Sequence, residues 1–144
     1  MQRRLGSSEG ETLIVQGNLA STYQELGRTD QGLNFRRDVY SGFLRLHGEE
    51  SEETLVGALN YTNCLVGLNR FEEAKSLLRK TMPVAQRVLG EGHEVTFRMK
   101  QVYATALYKD PTATLDDLRE AVTTLEDWNQ SRSACSVASI PSQY

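Results

Sequence analysis

Residues 54–90, TLVGALNYTNCLVGLNRFEEAKSLLRKTMPVAQRVLG, carry two apolar stripes of helical spacing in succession. In the first, Leu55, Leu59, Thr62, Leu65, Val66 and Leu68 fall mostly at steps of three and four, which puts them on one helix face. Asn69 then stands where a left-handed residue can end that helix. The second stripe begins at Phe71 and predicts burial of Ala74, Leu77, Leu78, Met82, Ala85 and Val88, up to Gly90. Glu72, Glu73, Lys75, Arg79, Lys80 and Arg87 are predicted on the exposed face, acids first and cations later, as the helix dipole favours. Pro83 lies inside this helix and is expected to bend it around its neighbour.

The hairpin recurs on both sides. Gly6, Gly48 and Gly90 are 42 residues apart, and so are Thr12, Thr54 and Thr96. Leu13, Leu55 and Phe97 follow in register, then Leu19, Tyr61 and Tyr103, the small Ala20, Thr62 and Ala104, and Tyr23, Leu65 and Leu107. A fixed period of this length signals stacked units that share one core.

In the first copy, Ser8 and Glu11 have capping-box spacing, predicting a helix from there to Leu26, closed by Gly27. A second helix follows from about Asp30, burying Leu33, Phe35, Val39, Tyr40, Phe43 and Leu46. In the third copy, a helix from Glu94 to Lys109 ends at Asp110-Pro111. Two inserted residues then precede a helix capped by Thr114 and Asp117, with Leu118, Ala121, Val122 and Leu125 as its stripe. The opening Gln2-Arg3-Arg4-Leu5-Gly6 matches Gln86-Arg87-Val88-Leu89-Gly90, as the last turn of a partial repeat. The expected division is therefore an array over 1–127, with repeats at about 6–47, 48–89 and 90–127. A Ser-rich tail over 128–144 is expected to be disordered.

Composition narrows the function. The chain has 144 residues and a net charge of −3, so no general electrostatic pull toward nucleic acid or an anionic membrane is expected. No apolar run reaches the roughly 18 residues of a membrane span, and the expected location is cytoplasmic. Two cysteines, Cys64 and Cys135, make no disulfide framework, and Cys64 is expected to be buried packing.

Catalytic and metal signatures were sought in the same residues. His93-Glu94 opens like a zinc helix, but Phe97 stands where the second histidine is needed. His47 is expected to cap the last carbonyls of its helix. Asp116-Asp117, Glu49-Glu50 and Glu52-Glu53 read as solvated helix starts, and Trp128 as the last core residue. No cofactor, metal or catalytic residue is expected, and the chain is read as a non-enzyme.

Thr12-Leu13, Asn18-Leu19-Ala20, Tyr23 and Leu26-Gly27-Arg28, with Thr54-Leu55, Asn60-Tyr61, Leu65, Leu68 and Arg70-Phe71-Glu72-Glu73-Ala74, resemble the tetratricopeptide repeat. The period of 42 and the ending Val88-Leu89-Gly90-Glu91 resemble its kinesin light chain variety. The resemblance implies an all-α, right-handed α-solenoid in which the first helix of each pair lines a concave groove. It also implies a function, binding of a peptide segment or partner protein in that groove, with Asn18 and Asn60 contacting the peptide backbone.

Val102 replaces the asparagine in the third copy. Ser21, Asn63 and Thr105 are expected to share the surface. A chaperone-type carboxylate clamp is not implied, because Gly17 and Leu59 occupy its lysine positions. Attachment to a motor or signalling complex would require flanking domains. The alternative reading is a sensor or regulatory fragment of a larger nucleotide-hydrolysing signalling protein.

Overall fold

A computed structural model describes the backbone of residues 2–139 and the side chains of 8–127, 129 and 130. Among the described residues, six helices follow one another: α1 (Gln2–Glu25), α2 (Thr29–His47), α3 (Glu52–Gly67), α4 (Phe71–Val88), α5 (Glu94–Lys109) and α6 (Leu115–Ser139). Each packs on the next, and α3 also packs on α5, so the array is an all-α solenoid of helix pairs.

Helix ends fall where the local chemistry demands. Gly27, Gly48 and Gly90 take φ of 78°, 82° and 96°, and Asn69 takes 61°, all in the left-handed region. Gly48 donates its N–H to the Leu44 carbonyl and closes α2. At α6, the Thr114 hydroxyl accepts from the Asp117 N–H at 3.1 Å while the Asp117 carboxylate accepts from the Thr114 N–H at 2.9 Å, a reciprocal cap. Hydrogen bonding from the Thr114 N–H first, and from the Thr114 side chain second, holds the Asp117 carboxyl below the usual carboxylate range.

One core runs through the array, with Tyr40, Leu55, Leu59, Leu78, Met99, Tyr103 and Leu107 among its members. A second cluster joins Leu33, Cys64, Leu65, Phe71 and Ala106. Burial of the small column Ala20, Thr62 and Ala104 lets the helices approach closely.

Several expectations are corrected. α1 runs unbroken from Gln2, so Ser8 is an interior residue accepting from the Thr12 hydroxyl at 2.9 Å, and Gly6 ends no helix. No proline interrupts that stretch, and a lone glycine weakens a helix without stopping it. α6 likewise continues to Ser139, past the start at 128 of the expected disordered tail, because neither Gly nor Pro interrupts residues 129–139. The expectations for 140–144 and for the Trp128 side chain lie outside the described residues.

Lys75 is buried rather than exposed, with its ammonium 3.1 Å from Asp110 and 2.6 Å from Glu72. That pair ties α4 to the turn after α5. Val88 is exposed, and Val84 and Leu89 pack against the core near it instead. Leu118 and Val122 are exposed on α6, whereas Ala121 is buried there. His47 stacks on Phe43, with ring centroids 5.8 Å apart, rather than bonding the last carbonyls. Pro83 stands inside α4 without ending it.

Candidate peptide groove

The first helices of the three pairs, α1, α3 and α5, line one side of the array, and two clefts lie between them. They differ in closure. Among the described residues, α1 and α3 have no Cα atoms within 8 Å of each other, whereas α3 and α5 do approach that closely. The cleft between α3 and α5 has a volume of about 350 Å³. Asn60, Asn63, Arg98, Gln101, Val102 and Thr105 are among its lining residues. The cleft between α1 and α3, floored in part by α2, has a volume of about 590 Å³. Asn18, Ser21 and Asn60 line it together with an apolar set of Leu13, Ile14, Val39, Phe43 and Val56.

All five residues singled out from the sequence therefore lie on these clefts, and Asn60 borders both. They divide by chemistry. The Ser21 hydroxyl donates to the Gly17 carbonyl at 3.3 Å and accepts from Arg36 at 2.9 Å. The Thr105 hydroxyl donates to the Gln101 carbonyl at 2.8 Å. Both hydroxyl protons are thus engaged within the chain. The side-chain amides of Asn18, Asn60 and Asn63 make no hydrogen bond among the described residues. Each offers a donor and an acceptor together, the pair a peptide backbone needs.

Sequence reasoning missed the charged members. Arg36 rises from α2 into the wider cleft, where it donates to Gln24 at 3.1 Å as well as to Ser21. Among the described residues, no carboxylate lies within 4 Å of it, and burial lowers its pKa from the usual arginine value. The signal was present in the register: Arg36 occupies the column in which the next repeat has the fully buried Leu78. At the other end of that cleft, Glu52 and Glu53 open α3. Hydrogen bonding from Ser51 holds the Glu53 carboxyl below the usual carboxylate range. In the narrower cleft, Arg98 pairs with Glu94 at 2.9 Å on the exposed surface.

Other candidates resolve into structure. The His93 ring accepts from the Val95 N–H at 3.1 Å and caps α5. Buried Cys64 sits 3.8 Å from the Thr29 carbonyl, and burial pushes its thiol pKa up. Among the described residues there is no cluster of metal-ligating side chains. No described helix is long and apolar enough to cross a membrane.

A family model described as tetratricopeptide repeat matches residues 11–87. Among solved structures, the chain is similar to that of BtubC (BKLC) from P. vanneervenii, with a TM-score of 0.73 at 19% identity. The match covers 85% of this chain and 46% of that one, so this chain spans less than half the length of that relative. No curated protein matches.

Proposed function

The chain belongs to the tetratricopeptide repeat family, whose members are generally protein–protein interaction modules, and we propose that it is a binding scaffold holding an extended segment of a partner protein across α1, α3 and α5. The observation that carries the proposal is the set of three unengaged amides, Asn18, Asn60 and Asn63, bordering two adjacent clefts. An extended segment has unpaired backbone N–H and C=O groups, and losing water from them is costly unless they are bonded again. Asparagines along its path restore those bonds without reading side chains. Sequence selectivity then falls to the clefts.

The hydroxyl that meets a carboxylate at the wider cleft, Ser51 on Glu53, sits at the exposed start of α3, where a carboxylate is stabilised by the helix end. The scaffold reading is tested by selecting peptides from a random display library and measuring their affinity for Asn18→Ala/Asn60→Ala. Each lost hydrogen bond is worth about 0.5–1.5 kcal/mol, so the double variant should bind roughly tenfold or more weakly, with an unchanged helical spectrum. Unchanged affinity would remove the asparagines from the site.

A further inference from the structure

Columns of the repeat that are buried in the middle of the array are bare on its two outer helices. Thr12, Val15, Leu19 and Thr22 run at steps of three and four along one face of α1, and all four are exposed. The same columns hold Thr54, Gly57, Tyr61 and Cys64 on α3, and Thr96, Met99, Tyr103 and Ala106 on α5. All of these are buried except Tyr61, which is half-buried and stacks on Tyr40 of α2. The preceding helix covers the stripe in each case. Cys64 Sγ sits 3.8 Å from the Thr29 carbonyl of α2, and the Thr96 hydroxyl donates to the Ala85 carbonyl of α4 at 3.3 Å.

The other half of that joint is bare on α6. With its two-residue insertion, α6 aligns on α4 at a shift of 44, so Leu115, Leu118 and Val122 stand in the columns of Phe71, Ala74 and Leu78. Phe71, Ala74 and Leu78 are buried in clusters that they share with Met99, Tyr103 and Ala106 of α5. Leu115, Leu118 and Val122 are instead 63%, 40% and 55% exposed. Among the described helices, α1 packs only on α2, and α6 only on α5.

We propose that the α6 face of one copy of this chain docks head to tail on the α1 face of a second copy, by the joint that already connects α4 to α5. Two observations select a second copy as the occupant. The bare faces are the two halves of a contact that the chain makes twice, at α2 with α3 and at α4 with α5, so each half fits the other and not itself. The register also closes. Lys75 meets Asp110 and Ala85 meets Thr96, so α4 and α5 run antiparallel. Carried over by the shift of 44 on α6 and two periods on α1, that register sets Asn129 against Thr12 of the second copy and Val122 against Leu19. α1 has ten helical residues ahead of Thr12 and α6 has ten beyond Asn129, so these overhangs lie side by side. Burial of the apolar stripes drives the contact, which is heterologous and leaves a free face at each end for further copies. It uses none of the residues lining the two clefts and does not depend on what they bind.

The test is sedimentation velocity on the whole chain over a wide range of concentration, where the average mass should rise with concentration and pass that of a dimer. Leu19→Glu and Val122→Glu each bury a carboxylate in the apolar contact, and each should stay monomeric with an unchanged helical spectrum. An equimolar mixture of the two should form a one-to-one pair and stop there, because Leu19→Glu keeps its α6 face and Val122→Glu keeps its α1 face. Val15→Glu blocks the same face as Leu19→Glu and replaces it if that variant misfolds. Tyr108→Glu, at an exposed apolar residue outside both stripes, should associate like the parent.

A parent chain that stays monomeric at every concentration would overturn the joint and leave the groove reading standing. A mixture of the two blocked variants that fails to pair, or association lost equally in Tyr108→Glu, would also overturn it.

Discussion

Two glycines inside helices give a matched test of how the first two helices pack. Gly17 on α1 faces open space, whereas a Cβ on Gly42 of α2 would lie 2.5 Å from Leu13 Cδ2, 2.8 Å from Cδ1 and 3.2 Å from Cγ. Both are helical, so Gly→Ala removes the same conformational penalty, about 0.5–1 kcal/mol in favour of alanine. At position 17 nothing opposes that gain. For a chain of this size, about 1 kcal/mol shifts Tm by roughly 4 °C, so Gly17→Ala should raise Tm by about 2–4 °C. At position 42 the whole Leu13 side chain must move within the core, and overpacking of this kind costs about 1–3 kcal/mol. The net for Gly42→Ala is a loss of about 1 kcal/mol, and Tm falls by roughly as much as it rises in the other variant. Thermal melts of the two variants beside the parent, followed by helical circular dichroism, give both numbers. Shifts of the same sign and size would refute the close approach of α2 to Leu13 and the openness at Gly17 together.

Three further outcomes follow from the packing. Leu78→Ala removes a fully buried side chain from the shared core and should destabilise by about 2–5 kcal/mol in urea unfolding, enough to unfold much of the array. Thr114→Ala removes the hydroxyl that caps α6 and should cost about 1 kcal/mol in the same assay. Asp110 bears on pH. Its carboxyl is held below the usual carboxylate range first by the Thr112 N–H, then by the Thr112 hydroxyl and then by Lys75. A carboxyl depressed on folding contributes stability that is present above its unfolded pKa of about 4 and is lost as pH falls through the lowered folded value. Urea midpoints from pH 7 down to pH 3 should therefore fall less steeply for Asp110→Asn than for the parent; parallel curves would contradict the assignment.

The helix register was legible because it is written in spacing. Gly27 and Asn69 end segments in the left-handed region as expected, Gly48 and Gly90 do so as well, and α5 has the predicted bounds at Glu94 and Lys109. What was illegible has physical causes. Lys75 looks like a solvent residue until Asp110, 35 positions away, is brought beside it, so a buried ion pair leaves no local mark. Extents were misjudged where stop signals were weak: Gly6 and the serines after 128 do not end α1 or α6. At the candidate groove, all five polar residues line the clefts between the first helices, yet nothing local distinguished the free amides from the engaged hydroxyls of Ser21 and Thr105.

The wider cleft was hardest to see, because a cavity is an absence. It becomes visible only when repeats are compared column by column and Gly17 and Arg36 are set against Leu59 and Leu78. Neither substitution is informative alone. Gly17 without Arg36 would leave an apolar void, which adjacent helices could close. Arg36 without Gly17 would place a cation against a leucine, a conflict that packing would relieve by pushing the guanidinium to solvent. Together they line a gap between α1 and α3 with a charge on its α2 side. A solenoid transmits geometry only between neighbours. The first repeat can therefore be opened in this way while α3 and α5, one unit on, remain packed.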